Sequence, residues 1–422
     1  MNIIMAIALS DVSNALQKVI MPYIRDNFPK QTILLDQVKR NAGVSFMNDN
    51  FYASVRSGRH GGVANLASDT AKLITGKASI GQASVPVKIL TGTFDISDLT
   101  IKATKTAKGA VESQLTWQAE SLVSDYSRSV NRQYFGDGSG IIAQVSSSAN
   151  ASAIVVKLPD TSCDDGAALN RYGAINGDIT PTKYLAPGQI LAVGTAGAAK
   201  GTVGSVSNGV GTALGTVTMT AALAHAANDA IGFVDGSLGG FGTADIYGLG
   251  MALSDATANY ANLARTTVGW SPVTGTTNVA LTLSQMEDSY LSAREYGAMS
   301  DKYAIFMNKT LYKKYGDLLT AQRRSVNESD LLGGWTGLEF AAGAGKVGVF
   351  LDYDVPDGEV LIVNLDTLTI CEAAPMDWLS NPASGSLVRT TDYLTYQSTM
   401  AWYTNLLCLC PAANARLMQK TA

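Results

Sequence analysis

The sequence predicts an α+β fold in which one long helix stands between extended segments and a mixed body. Three observations lead there. Residues 109–135 carry a single apolar stripe at helical period. Residues 44–104 read as extended, with apolar side chains recurring at Phe94, Ile96, Leu99 and Ile101. Residues 146–240 shift in composition to fifteen Gly, eighteen Ala and only ten charged residues. At 422 residues the chain is long enough for several folding units and for a sizeable core.

Taken in chain order, residues 11–40 repeat apolar positions at Leu16, Ile20 and Ile24 but are broken by Pro22 and Pro29. They read as an arm with a short helix, and an arm without its own core needs a neighbour. In the extended region, Phe46–Val55 reads as one strand. Arg56–Gly62 is a flexible stretch, and Val85–Leu90 and Thr93–Ala103 return, which together predict a long β-hairpin with a loose tip. Between residues 39 and 108 stand ten Lys or Arg against four Asp, a local net of +6, so the rest of the chain carries −10. A basic projection and an acidic body attract each other between copies of one chain.

The helix follows. Val111, Leu115, Ala119, Leu122, Tyr126, Val130 and Tyr134 recur in steps of three and four, which makes a rod about 40 Å long. Gly136-Asp137-Gly138-Ser139-Gly140 ends it. In the Gly- and Ala-rich stretch, Leu185–Val193, Gly201–Ser207 and Leu214–Thr220 read as short strands, with a turn at Asn208-Gly209-Val210-Gly211. They predict a small β-barrel or sandwich inserted after the helix. Ser284 with Glu287 reads as a capping box before a helix over Met286–Met299. Tyr303–Met307 reads as a buried strand, and Asn308 as the cap of a helix over Thr310–Leu319. Lys346–Asp354 and Val360–Asn364 read as strands around the turn Pro356-Asp357-Gly358. Residues 385–410 close the chain as a long strand region.

Several classes of function find no residues to stand on. The net charge of −4 excludes a wholesale polyanion binder. The apolar start MNIIMAIALS has no Lys or Arg before it and does not read as a secretory signal, and no apolar run is long enough to span a bilayer. Cys163, Cys371, Cys408 and Cys410 lack zinc spacing; Cys408 and Cys410 read as small core residues of a chain kept reduced. His60 and His225 alone supply neither a His-based metal site nor a triad. Ala344-Gly345-Lys346-Val347 resembles the end of a phosphate loop, but Phe340 stands where its first Gly belongs and Val347 replaces Ser or Thr. The pairs Asp164-Asp165 and Asp352/Asp354 read as solvated carboxylates. No catalytic, metal or cofactor-binding residue is therefore expected.

The order of these segments is similar to the major capsid protein of tailed bacteriophages, the HK97-type fold. The likeness is carried by Gly109–Leu115 through Tyr134–Gly140, by Asp301–Asn308, and by Asp352–Gly358 with the strand after it. The resemblance implies an N-terminal arm at 1–43, an extended loop at 44–108 lying over a neighbouring subunit, and a peripheral domain with its spine helix at 109–145. It further implies an inserted β-rich module at 146–240, an axial domain at 241–375 and a return to the peripheral domain at 376–422. Hexamers and pentamers would build an icosahedral or prolate shell around double-stranded DNA. The partners implied are a separate scaffold protein, a portal, a decoration or cement protein and non-specific DNA contact, with no membrane. The virion would be assembled in the cytoplasm of a bacterial host. Arg56, Arg59, Lys72 and Lys77 are the candidate inter-subunit contacts of the extended loop. The alternatives are an encapsulin-like nanocompartment shell and a β-rich decoration or adhesin protein.

Overall fold

The computed structural model describes residues 33–63, 65, 68, 72–73, 75–98, 108–157, 176, 180, 182–194, 199–208, 214–234, 245–255, 257–275, 279–296, 302–321, 329–331, 335–342, 345–379, 387–390 and 393–421. The expected arm up to residue 32, Cys163, Asp164-Asp165, Gly209–Gly211 and Asp301 lie outside them. The chain divides into two compact units. The first takes residues 1–37, 87–132 and 372–405, the second 38–86, 133–371 and 406–422.

In the first unit, strand Lys88–Ser97 pairs antiparallel with Thr395–Thr404, ten residues on each side, within the long strand Thr395–Cys408. Its side chains alternate: Leu90 and Phe94 are buried, while Ile89, Thr91, Thr93 and Asp95 face water. Helix Lys108–Phe135, which belongs to this unit as far as Arg132, covers the buried face. Ala119, Val123, Tyr126 and Val130 are buried, and Leu122 packs on Gly92. The Tyr126 hydroxyl donates to Leu90 O at 3.3 Å. Trp378 meets Phe94 edge-on at 5.6 Å, and Trp402 Nε1 donates to Glu372 Oε1 at 2.7 Å. This corrects the expected long hairpin, whose return limb was to run on through Thr93–Ala103. Lys88–Ser97 does not return along Phe46–Val55, because its apolar face is satisfied by the helix and by Trp378.

The second unit is built on a seven-stranded sheet with the order Val273–Gly275, Ala415–Leu417, Val360–Asn364, Tyr303–Met307, Gly345–Leu351, Trp335–Ala342, Ser329–Leu331. Tyr303–Met307 and Val360–Asn364 are buried throughout, as strands covered on both faces must be. Helices Leu283–Tyr296 and Lys309–Ala321 supply Met286, Tyr290, Leu311 and Tyr315 to one core with Ile305, Phe340, Val349 and Ile362. The first helix begins earlier than expected. Thr282 Oγ1 accepts from Gln285 N at 3.3 Å, so the cap is Thr282 and not Ser284. Asn308 caps the second helix, accepting from Lys309 N at 2.7 Å while its amide donates to Val355 O.

Six strands of this unit close into a barrel in the order Leu214–His225, Ala149–Lys157, Ile141–Val145, Ala230–Phe233, Ile190–Val193, Ala199–Asn208. Its core is a separate cluster around Ile142, Ile154, Leu191, Val203, Val217 and Ile231. Between spine helix and barrel, Asp137 Oδ1 accepts from Ser139 N and Oγ, and Gly138 and Gly140 take positive φ. The segment after the barrel returns to the helix end: Gly250 N donates to Gly136 O at 3.0 Å. Gly248 sits there so closely that a Cβ would lie 2.3 Å from Gln133 O, 2.5 Å from Gly136 O and 2.6 Å from Tyr134 O.

Arg265 organises the segment that follows. Its guanidinium donates to Met251 O at 2.7 Å, Ala252 O at 3.0 Å and Trp270 O at 3.1 Å, and lies over the Tyr260 ring at 4.8 Å. Trp270 Nε1 donates to Tyr260 O, and the Tyr260 hydroxyl accepts from Cys408 N at 3.0 Å. Burial pushes the thiols of Cys371 and Cys408 up to about 12.

Three outcomes follow from this packing. Gly248→Ala drives a methyl group into three carbonyl oxygens, and the variant is expected in the insoluble fraction; soluble protein of unchanged melting temperature would contradict it. Arg265→Leu strands two buried carbonyls and one partly buried one and should lower stability by about 3 kcal/mol, read as the denaturation midpoint of the unassembled chain. Both buried thiols stay protonated at pH 8, so an alkylating reagent should modify half-buried Cys410 before Cys371 or Cys408, as peptide mass spectrometry would resolve.

Candidate assembly interface

The candidate interface is a hairpin sheet of the second unit. Ser45–Met47, Asn50–Arg56 and Ile80–Pro86 pair antiparallel in that order. The single strand expected at Phe46–Val55 is broken by a two-residue turn, since Met47 pairs with Asn50 and both Asn48 and Asp49 have positive φ. Asn and Asp tolerate that conformation, and two such residues make the hairpin turn that suits strand twist. Phe51, Ala53 and Val55 alternate to the buried face with Ala83 and Val85 opposite. The outer edge of Ile80–Pro86 rests on the small hairpin Asn259–Ala264. There Ser84 N donates to Ala261 O at 2.8 Å, and Gly81 faces Leu263. This is the hairpin that carries Tyr260 and leads into Arg265, so the clamp supports the base of the projection.

Pairing continues past Arg56 and Ile80. Ser57 N donates to Ser79 O at 2.9 Å, and their hydroxyls meet at 2.8 Å. Further out the two limbs approach closely at glycines. A Cβ on Gly76 would lie 2.3 Å from both Gly61 C and Gly62 N. Gly62 N donates to His60 Nδ1, and Arg56 Nε to Gly58 O at 3.0 Å.

Arg56, Arg59, Lys72 and Lys77 are all exposed on this projection, and among the described residues no carboxylate is paired with any of them. Sequence reasoning missed their apolar neighbours. Phe46, Met47, Val63, Leu73 and Ile80 are exposed, Val63 to 86 %. Val63 and Leu73, apolar residues in a largely polar stretch, were the available signal. The surface thus presents cations, apolar side chains and the edge of Ser45–Met47, which no other described strand pairs, a combination suited to a protein partner with acidic groups and a strand edge.

The other candidates dissolve into structure. Asp354 Oδ1 accepts from Lys183 Nζ and from the Tyr184 hydroxyl, both at 2.9 Å. Asp352 Oδ1 accepts from Asp354 N. Among the described residues no cluster of three potential metal ligands occurs. Gly345-Lys346-Val347 opens a strand, with Gly345 paired to Ala342.

No protein-family model and no curated protein matches the chain. Solved structures do. A chain of the capsid asymmetric unit of cyanophage A-1(L) superposes with a TM-score of 0.52 at 13 % identity, covering 94 % of this chain and 93 % of that one. A capsid chain of a native GTA particle gives 0.43 at 12 % identity over 92 % and 90 %. The encapsulin SrpI of Synechococcus elongatus PCC 7942 gives 0.29 at 12 % identity over 41 % of this chain and 56 % of that one. The cyanophage match establishes the fold: the chain is folded as a phage capsid protein over almost its whole length.

If the glycine contact sets the tip, Gly76→Val should separate the limbs. Trypsin should then cut at Arg59 and Lys72 faster than in the unchanged protein; equal cleavage rates would show that the contact does not hold the tip.

Proposed function

We propose that the chain is a major capsid protein of a tailed phage, assembling as hexamers and pentamers into a shell that encloses double-stranded DNA. The observation that carries this reading is the whole-chain likeness to the cyanophage capsid subunit, 94 % of one chain on 93 % of the other. In this reading residues 241–375 form most of the axial domain, and 109–145 with 376–422 form the peripheral domain. The projection at 45–86 is the part of the extended loop that reaches the neighbour. The barrel is the insertion. Arg56, Arg59, Lys72 and Lys77 would meet acidic groups of the adjacent copy, since the chain outside residues 39–108 carries −10.

Shell assembly works by many weak contacts that add, and desolvated pairs at a neighbour's surface are worth more than the same charges in water. The scaffold protein, the portal, a decoration protein and non-specific DNA contact belong to the same proposal, as does assembly in the bacterial cytoplasm. The adhesin alternative draws only on residues 146–240, whereas the capsid likeness spans the barrel and everything around it.

Electron microscopy of the purified chain, with and without co-expressed phage scaffold, tests the reading directly. Shells or hexameric rings are expected. Nucleic acid inside them separates a virion protein from a nanocompartment, and monomers under every condition would sink both. Replacing Arg56, Arg59, Lys72 and Lys77 together by Ala should reduce shell yield at low salt and flatten its dependence on ionic strength. A variant whose yield follows the unchanged protein across salt would remove these four residues from the interface.

A further inference from the structure

The barrel and the seven-stranded sheet of the second unit meet at a place other than their chain crossings, and the meeting is polar. Lys183 Nζ lies 2.9 Å from Asp354 Oδ1 and also donates to Tyr353 O. The Tyr184 hydroxyl donates to the same Asp354 Oδ1 at 2.9 Å. Asn176 N donates to Asp357 Oδ2 at 2.7 Å, and Asn176 Nδ2 to Lys420 O at 3.0 Å. The two hydrophobic clusters on either side share no residue.

Each side of this contact is held by its own half. The loop 352–358 is fixed to the sheet: Asp352 N donates to Met307 O, Asn308 Nδ2 to Val355 O, and Lys420 N to Gly358 O. On the barrel, Lys183 N donates to Thr180 O and Leu185 N to Thr182 O, while Tyr184 packs on the barrel core. Each loop thus has hydrogen bonds within its own half as well as across the contact.

We infer that Lys183 and Tyr184 with Asp354 form a releasable latch, so that the barrel can leave the sheet on its chain crossings while both halves stay folded. The energetics favour a reversible contact. The ion pair is partly exposed, at 27 % and 15 %, and so is modest in strength. Asp357, the acceptor of the Asn176 contact, is fully buried, and a buried carboxylate carries a desolvation cost that weakens the net gain from closing the contact. If the capsid reading holds, such a joint lets one sequence fill positions in a shell that are not equivalent.

Hydrogen exchange with mass spectrometry on the unassembled full-length chain tests the latch. In Asp354→Ala and in Lys183→Met, exchange at residues 182–188 and 352–358 should rise by about tenfold or more. Strands Leu214–His225 and Tyr303–Met307 should keep their protection. Tyr184→Phe, which removes one hydrogen bond and keeps the ring, should give a smaller rise at the same places. No change at either loop would overturn the latch. So would faster exchange in the barrel or sheet strands, because Asp354 would then hold the fold itself. A latch that opens as stated in a chain that builds no shell would leave this inference standing while the capsid reading fell.

Discussion

The Arg265 guanidinium is the interaction on which much of the second unit depends. Three carbonyls from two segments, Met251 and Ala252 on one side and Trp270 on the other, converge on it. At these three contacts the buried cation meets the negative ends of peptide dipoles, and removing it leaves those carbonyls without their donor. Tyr260 stacks under it, accepts from Cys408 N and lies in the hairpin that supports Ile80–Pro86. The segment that carries Arg265 is thereby tied to the base of the projection.

The chain treats its strand edges unevenly. The barrel closes on itself and so has no edge to offer. The Ser45–Met47 strand, in contrast, is exposed at every residue, with Phe46 and Met47 open to water. An exposed edge bearing an aromatic residue and a methionine is an aggregation hazard in a protein that works alone. In one that works by joining copies, the same features suit a strand of another copy.

How much could be read from the sequence depended on the range of the interaction. The helix was legible because its stripe is local: Ala119, Tyr126, Val130 and Tyr134 are buried as their spacing requires, although Val123 rather than Leu122 is the more buried of that neighbouring pair. Asn308 and the strand Tyr303–Met307 were legible for the same reason. Partnering between distant strands was not. Phe94 alternates whether its partner is Phe51 or Ser398, and only the fold decides for Ser398. Within the barrel, Ala149–Lys157 was not among the expected strands, because Ser and Ala dilute its pattern, yet it pairs with Leu214–His225. At the candidate interface, charge counting found the cations. The contact of Gly76 with Gly61 joins residues too far apart in sequence for any local rule to reveal it.

The place of strand Ala415–Leu417 has a consequence for synthesis. It lies between Val273–Gly275, with which it runs parallel, and Val360–Asn364, with which it runs antiparallel. Every other strand of that sheet precedes it in the chain, so a nascent polypeptide carries the sheet with a gap until these residues emerge from the ribosome. Until then Val273–Gly275 has no partner strand, and the buried Arg416–Glu359 pair is not formed. A subunit still being translated therefore cannot complete this sheet or bury that ion pair.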